Sequence, residues 1–198
     1  MKKYKDFSTE KIYSDILAYI KENNPSSDAP YHNNSHMITV YKFCKEIAKN
    51  IAYTDELNLL VAALFHDFNH SMGKEKDNIN VQRAIEGFSD YYDNNLSNSL
   101  VDKNRVISII KITEYPYTTE DSELNIEQKI IRDADLLQGA VDNWYDYIIV
   151  GLSKEMNLPI DVIKRGTLDF RSKIKYNFDY SKKVFLSNDE EITKQLLK

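Results

Sequence analysis

One cysteine, Cys44, five glycines and four prolines are all that this 198-residue chain holds of the residues that staple or punctuate a fold. A lone thiol excludes an intrachain disulfide. So few glycines and prolines exclude the dense turns that a domain of many short strands requires. No apolar run approaches the roughly 18 uninterrupted residues of a membrane helix, so no membrane partner is expected. The opening Met1-Lys2-Lys3-Tyr4-Lys5-Asp6 lacks an apolar stretch of the signal-peptide kind, and with the single thiol this sets the expectation of a cytoplasmic protein. Net positive charge is lacking too. Against 31 acidic residues stand 26 Lys and Arg, a formal charge of −5, which argues against a generic nucleic-acid surface. Histidine is absent after residue 70: all four, His32, His36, His66 and His70, fall in one stretch.

What is present reads as helix. Apolar residues recur at helical spacing in Ile12, Ile16, Leu17 and Ile20, with Ser8 placed to cap them. A Pro- and Asn-rich loop over 23–34 then delivers Tyr31 and His32 to a helix expected over 35–50. Thr54 is a candidate cap for a broad apolar stripe, Leu57, Leu60, Val61, Leu64 and Phe65, that ends in His66 and Asp67. Further helices are expected over 78–92 and 100–113, with Asn94-Asn95 between them as loop, and then one carrying Asp135. Trp144 and Tyr147 at helical spacing read as core, Pro159 suits a first helical turn, and Leu196 and Leu197 read as a fraying end. The expected fold is all-α, a compact multi-helix bundle. It forms one domain over 1–198, with a metal-binding core at about 30–140 and a helical extension at about 141–198.

The bunched histidines carry the chemistry. His66 and His70, four apart, share a face if the helix persists, and Asp67 is turned by about 100° from His66. His36 arrives from the preceding helix and Asp135 from a distant one, so His36, His66, Asp67 and Asp135 would pin three helices to one ion. In Arg132-Asp133-Ala134-Asp135, either carboxylate could point inward; Asp135 is preferred. Mixed imidazole and carboxylate donors suit Mn²⁺, Fe²⁺, Co²⁺, Ni²⁺ or Zn²⁺, with Mg²⁺ kept open. Without cysteine to close a structural zinc site, this set leaves room for water and a phosphate oxygen, which favours catalysis. His32, just ahead of His36, is the candidate general acid, and His70 the candidate to position water. Lys74 and Gln138 are candidate substrate contacts.

The phrases Tyr31-His32-Asn33-Asn34-Ser35-His36, Leu64-Phe65-His66-Asp67-Phe68-Asn69-His70 and Asp133-Ala134-Asp135 resemble the HD-domain metal-dependent phosphohydrolases. The first two are similar in particular to the core of class I cyclic-nucleotide phosphodiesterases. The resemblance implies an all-α HD bundle, metal ligation by His36, His66, Asp67 and Asp135, and His32 as proton donor. The chain departs from the phosphodiesterases at Asn69, where they carry a second acidic residue, and has no later histidine; both speak for one ion rather than two. It also lacks a counterpart of their nucleobase clamp.

The expected function is hydrolysis of a phosphate mono- or diester in a nucleotide or similar small metabolite by water activated at the metal. A catalytically silent nucleotide-sensing module that keeps the metal, and a helical protein with a structural metal, are the alternatives. The expected partner is the small phosphorylated substrate; with 12% aromatic residues, an exposed patch could also support a homodimer.

Overall fold

The computed structural model describes residues 8–197; the opening hexapeptide read above lies outside them. Among the described residues there are nine α-helices and no strand. They are α1 (Thr9–Asn23), α2 (Asn34–Asn50), α3 (Leu57–Phe65), α4 (Asp77–Asn95), α5 (Lys103–Lys111), α6 (Ile126–Leu136), α7 (Gly151–Met156), α8 (Ile160–Lys173) and α9 (Asp179–Leu196). Short 3₁₀ turns at Asp121–Glu123 and Leu137–Ala140 and a π-helical turn at Tyr145–Val150 complete the order. The fold is the all-α one expected. No helix among the described residues is long and apolar enough to cross a membrane.

α3 is the axle of the bundle. Its residues from Asn58 to Phe65 are all buried, as an all-round apolar helix must be, and α1, α2, α4, α5 and α6 pack around it. Phe65 sits in a ring cluster with Phe88 at 5.5 Å, Tyr91 at 5.5 Å and Phe68 at 5.6 Å. Gly87 allows this approach, since a Cβ there would stand 2.3 Å from the Phe68 ring. A second, smaller apolar cluster of Trp144, Ile149, Ile163, Ile192 and Leu196 ties the π-helical turn, α8 and α9 together, with Leu152 of α7 packed against it. Leu196 is therefore anchored rather than frayed, while Leu197 is exposed.

Several boundaries differ from the sequence expectation for identifiable reasons. Ser8 caps α1 as read. Thr54 does not cap α3, which starts at Leu57 without a side-chain cap; burial of the whole helix takes the place of that bond. α4 runs through Asn94 and Asn95 because their side-chain amides donate to the carbonyls of Asp90 and Tyr91, four residues back. α5 begins late, at Lys103, where the Asp102 carboxylate accepts from the amides of Asn104 and Arg105.

Candidate functional site

Three helix ends deliver the metal donors. Asn33 caps α2, its Oδ1 accepting from Ser35 N at 2.8 Å and His36 N at 3.1 Å, which places His36 in the first turn. α3 stops at Phe65, and His66 and Asp67 follow in the turn that leaves it. The helix does not persist to His70: the turn over 66–69 closes on Asn69 in a left-handed conformation (φ +61°), one that asparagine tolerates. That turn is tied to the 23–34 loop: Asn69 N donates to Asn24 Oδ1 at 2.9 Å and His70 N to Ser26 Oγ at 3.2 Å. Asp135 comes from the last turn of α6.

The donors converge. His36 Nε2 lies 3.1 Å from His66 Nε2, 2.9 Å from Asp67 Oδ2 and 3.2 Å from Asp135 Oδ1; His66 Nε2 lies 3.3 Å and 3.7 Å from the same carboxylate oxygens. Two ligands about 2.1 Å from one ion, 90–109° apart, stand about 3.0–3.4 Å from each other, so these spacings fit a single divalent ion. The protonation pattern fits as well. His66 Nδ1 is 2.9 Å from the Ala63 carbonyl, which can only accept, so Nδ1 carries the proton and Nε2 of the neutral ring presents its lone pair. Burial would raise the Asp67 and Asp135 carboxyls, yet the facing imidazoles outweigh it and hold both below the usual range. Burial likewise opposes charge on His36 and His66, and the two carboxylates outweigh it and raise both. The cluster thus accumulates negative charge that a dication, or protons on the imidazoles, must balance.

A second cluster adjoins it. The Glu155 side chain, 1% exposed, accepts from Tyr31 N at 3.0 Å and His32 N at 3.1 Å through Oε2, while Oε1 bonds His32 Nδ1. Burial would raise this carboxyl; the bond to His32 prevails and lowers it. His32 therefore keeps Nε2 free. His70 stacks on His32, centroids 3.7 Å apart at 23°, and its ring nitrogens lie 3.1 Å from Met72 N and 2.8 Å from Asn80 Nδ2. Burial and the neighbouring His32 push His70 down to about 4, so it is neutral at pH 7.

The donors of His32, His70 and Glu155 are also close enough for a metal, as are those of His36, His66 and Asp67. Ring geometry separates the two groups. His36 and His66 have nitrogens 3.1 Å apart and centroids 5.1 Å apart, splaying from a shared point as two ligands of one ion do. His32 and His70 lie face to face, and Glu155 already bonds His32. The first geometry suits chelation; the second suits an acid held in place by a carboxylate and a neutral ring.

Of the remaining sequence candidates, Gln138 is buried beside α6 with both amide atoms lacking a protein partner. Lys74 is exposed on the loop after His70, and no described hydrogen bond or ion pair joins its side chain to the cluster. Asp133 points away from the metal donors: fully buried, it accepts from Asn177 N and Nδ2 and from Phe178 N, holding the entry to α9. Trp144 is core as expected, but Tyr147 is not core alone: its ring meets that of Tyr31 at 5.2 Å, and burial together with the negative charges of Asp67, Asp135 and Glu155 raises its phenol above the usual range. Glu155 was missed altogether, for it lies 123 residues from His32 in no spacing pattern with it.

The family model that matches this chain is that of the HD domain, over residues 34–140. That span contains His36, His66, Asp67 and Asp135 and leaves out His32 and Glu155. No curated protein and no solved structure matches the chain.

Proposed function

The chain belongs to the HD-domain family, and on that premise we propose that it is a metal-dependent phosphohydrolase acting on a phosphate mono- or diester of a nucleotide or similar small metabolite. The observation that carries this reading is the convergence of the His36, His66, Asp67 and Asp135 donors at spacings suited to one ion, with a separately held acid alongside. When bound, a divalent ion would supply Lewis-acid activation of water and of a phosphoryl oxygen. Manganese, iron, cobalt, nickel, zinc and magnesium are all candidates.

The protein's own groups do the rest. His36 and His66 offer lone pairs from Nε2, and Asp67 and Asp135 offset the dication's charge. His32 Nε2 donates a proton to the leaving oxygen, while Glu155 on Nδ1 fixes the ring and stabilises its charged form. His70, neutral behind it, limits the ring's rotation. Gln138 is the better supported of the two substrate contacts, since a buried amide with no protein partner is expected to meet water or ligand. Lys74 would reach a phosphate only by folding in from its loop. The free, buried thiol of Cys44 suits a cytoplasmic setting.

Metal-stripped protein re-supplied with each ion, against mononucleotides, cyclic nucleotides, dinucleotides and nucleoside triphosphates, tests the reading. Turnover that depends on metal and disappears in Asp67→Ala is the expected result. Stoichiometric metal with no turnover on any substrate class would move the conclusion to the silent sensing module.

A further inference from the structure

The π-helical turn Tyr145–Val150 runs directly into α7, and along one face Tyr147, Gly151 and Glu155 recur every fourth residue. All three meet the Pro30–His32 loop. Glu155 accepts from the Tyr31 and His32 amides; a Cβ on Gly151 would come within 2.9 Å of the Pro30 carbonyl; Tyr147 Oη lies 3.4 Å from the Tyr31 carbonyl. For Glu155 and Gly151 this clamp is a full account. For Tyr147 it is not. A good O–H···O bond spans 2.5–3.0 Å, so the half-buried phenol's one described contact, at 3.4 Å, leaves its donor weakly used.

The position of that donor is specific. The Tyr147 ring packs on Tyr31 at 5.2 Å, and the Tyr31 ring stands 4.6 Å from His32 and 5.0 Å from His36, so the phenol lies one ring away from both the acid and the candidate metal donors. Burial, then the charges of Asp67, Asp135 and Glu155, keep it protonated and hence a donor. Among the described residues, no Lys or Arg is paired with any donor of either cluster. A phosphoryl group held here would have an ion on one side and no protein cation on the other. A neutral O–H donor is what that second side offers.

We propose that Tyr147 is a substrate-contacting catalytic residue, its phenol donating a hydrogen bond to a non-bridging phosphoryl oxygen held between the metal cluster and His32. The assignment rests on the phosphohydrolase reading.

Orthophosphate is the probe, titrated calorimetrically into metal-loaded wild type, Tyr147→Phe and the control Tyr145→Phe, with metal content and Tm measured on each. The phenyl ring is retained in Tyr147→Phe, so metal content and Tm stay at the wild-type values. Phosphate affinity falls about 10- to 100-fold in Tyr147→Phe, the effect of one lost hydrogen bond to a charged group, and is unchanged in Tyr145→Phe. On a turned-over substrate, kcat falls in Tyr147→Phe by a similar factor. Equal phosphate affinity in Tyr147→Phe and wild type overturns the proposal, as does wild type that binds metal and no phosphate. If phosphate binding is lost as expected while wild type turns over no substrate, the anion contact stands and the hydrolase reading falls.

Discussion

Asp133 and Asp135, two positions apart near the end of α6, face opposite ways: Asp135 looks at the paired imidazoles of His36 and His66, and Asp133 clasps the backbone amides of Asn177 and Phe178. Two residues on a helix are turned by about 200°, so one carboxylate of the pair faces the candidate metal site and the other holds the docking of α9.

The two substitutions should therefore separate. Asp133→Ala leaves the partly buried Asn177 amides and Phe178 N without their acceptor, and should cost about 2–4 kcal/mol of stability. Metal stoichiometry of the folded protein should be kept. Asp135→Ala should do the reverse, lowering metal affinity with a smaller stability loss in the metal-free protein. Denaturant midpoints with metal analysis on both variants check this; loss of metal in Asp133→Ala would place that carboxylate in the metal centre.

Glu155 and His32 give a second separation. Glu155→Gln keeps the side chain's shape and removes the charge that stabilises the protonated imidazole, so kcat should fall about 10- to 100-fold with bound metal unchanged. His32→Ala should cost about 10² to 10⁴ in kcat, again without loss of metal. Because Glu155 acts through His32, the double variant decides: Glu155→Gln should cost little further once His32→Ala is in place. A full additional loss on top of His32→Ala would give Glu155 a role apart from that ring.

How much of this was open to a reader of the sequence follows from range. His36, His66 and Asp67 sit at or next to helix ends whose apolar periodicity is local, and their order with Asp135 is a pattern in itself. The apolar stripe from Leu57 to Phe65 announced a helix for the same reason, but not one buried on every side. Glu155 had no such signal, since its partner is a loop 123 residues earlier and the approach depends on Gly151 fitting against Pro30. Asp135 was preferred over Asp133 from the sequence, but the role Asp133 takes instead was set by a distant element, the α9 entry at Asn177. Asn69 was legible as a departure from an acidic residue but not as the left-handed residue that closes the turn before His70.

Metal binding should release protons. In the metal-free cluster, burial disfavours charge on His36 and His66, yet Asp67 and Asp135 raise both imidazoles, so a dication competes with the protons they hold. Apparent affinity should therefore fall as pH falls. Calorimetry near pH 6.5 in two buffers of different ionisation enthalpy should give about one to two protons released per ion. Release of none would mean that the imidazoles are already neutral and that the carboxylates do not pair with them.

His70 supplies a pH dependence of the opposite kind from a paired histidine. Burial first, and then the adjacent His32, lower it from 6.5 to about 4 in the folded protein, while the unfolded chain takes up the proton near 6.5. Between those values the unfolded state binds more protons, so stability rises with pH across the window and is lost as pH drops through it. The full contribution is on the order of 3 kcal/mol. His70→Gln removes the titration, so its absolute stability at pH 7 is not the readout. The slope is: with metal chelated, the urea midpoint of wild type should fall more steeply than that of His70→Gln between pH 7 and pH 4.5. Parallel slopes would mean that His70 carries its proton in the folded protein.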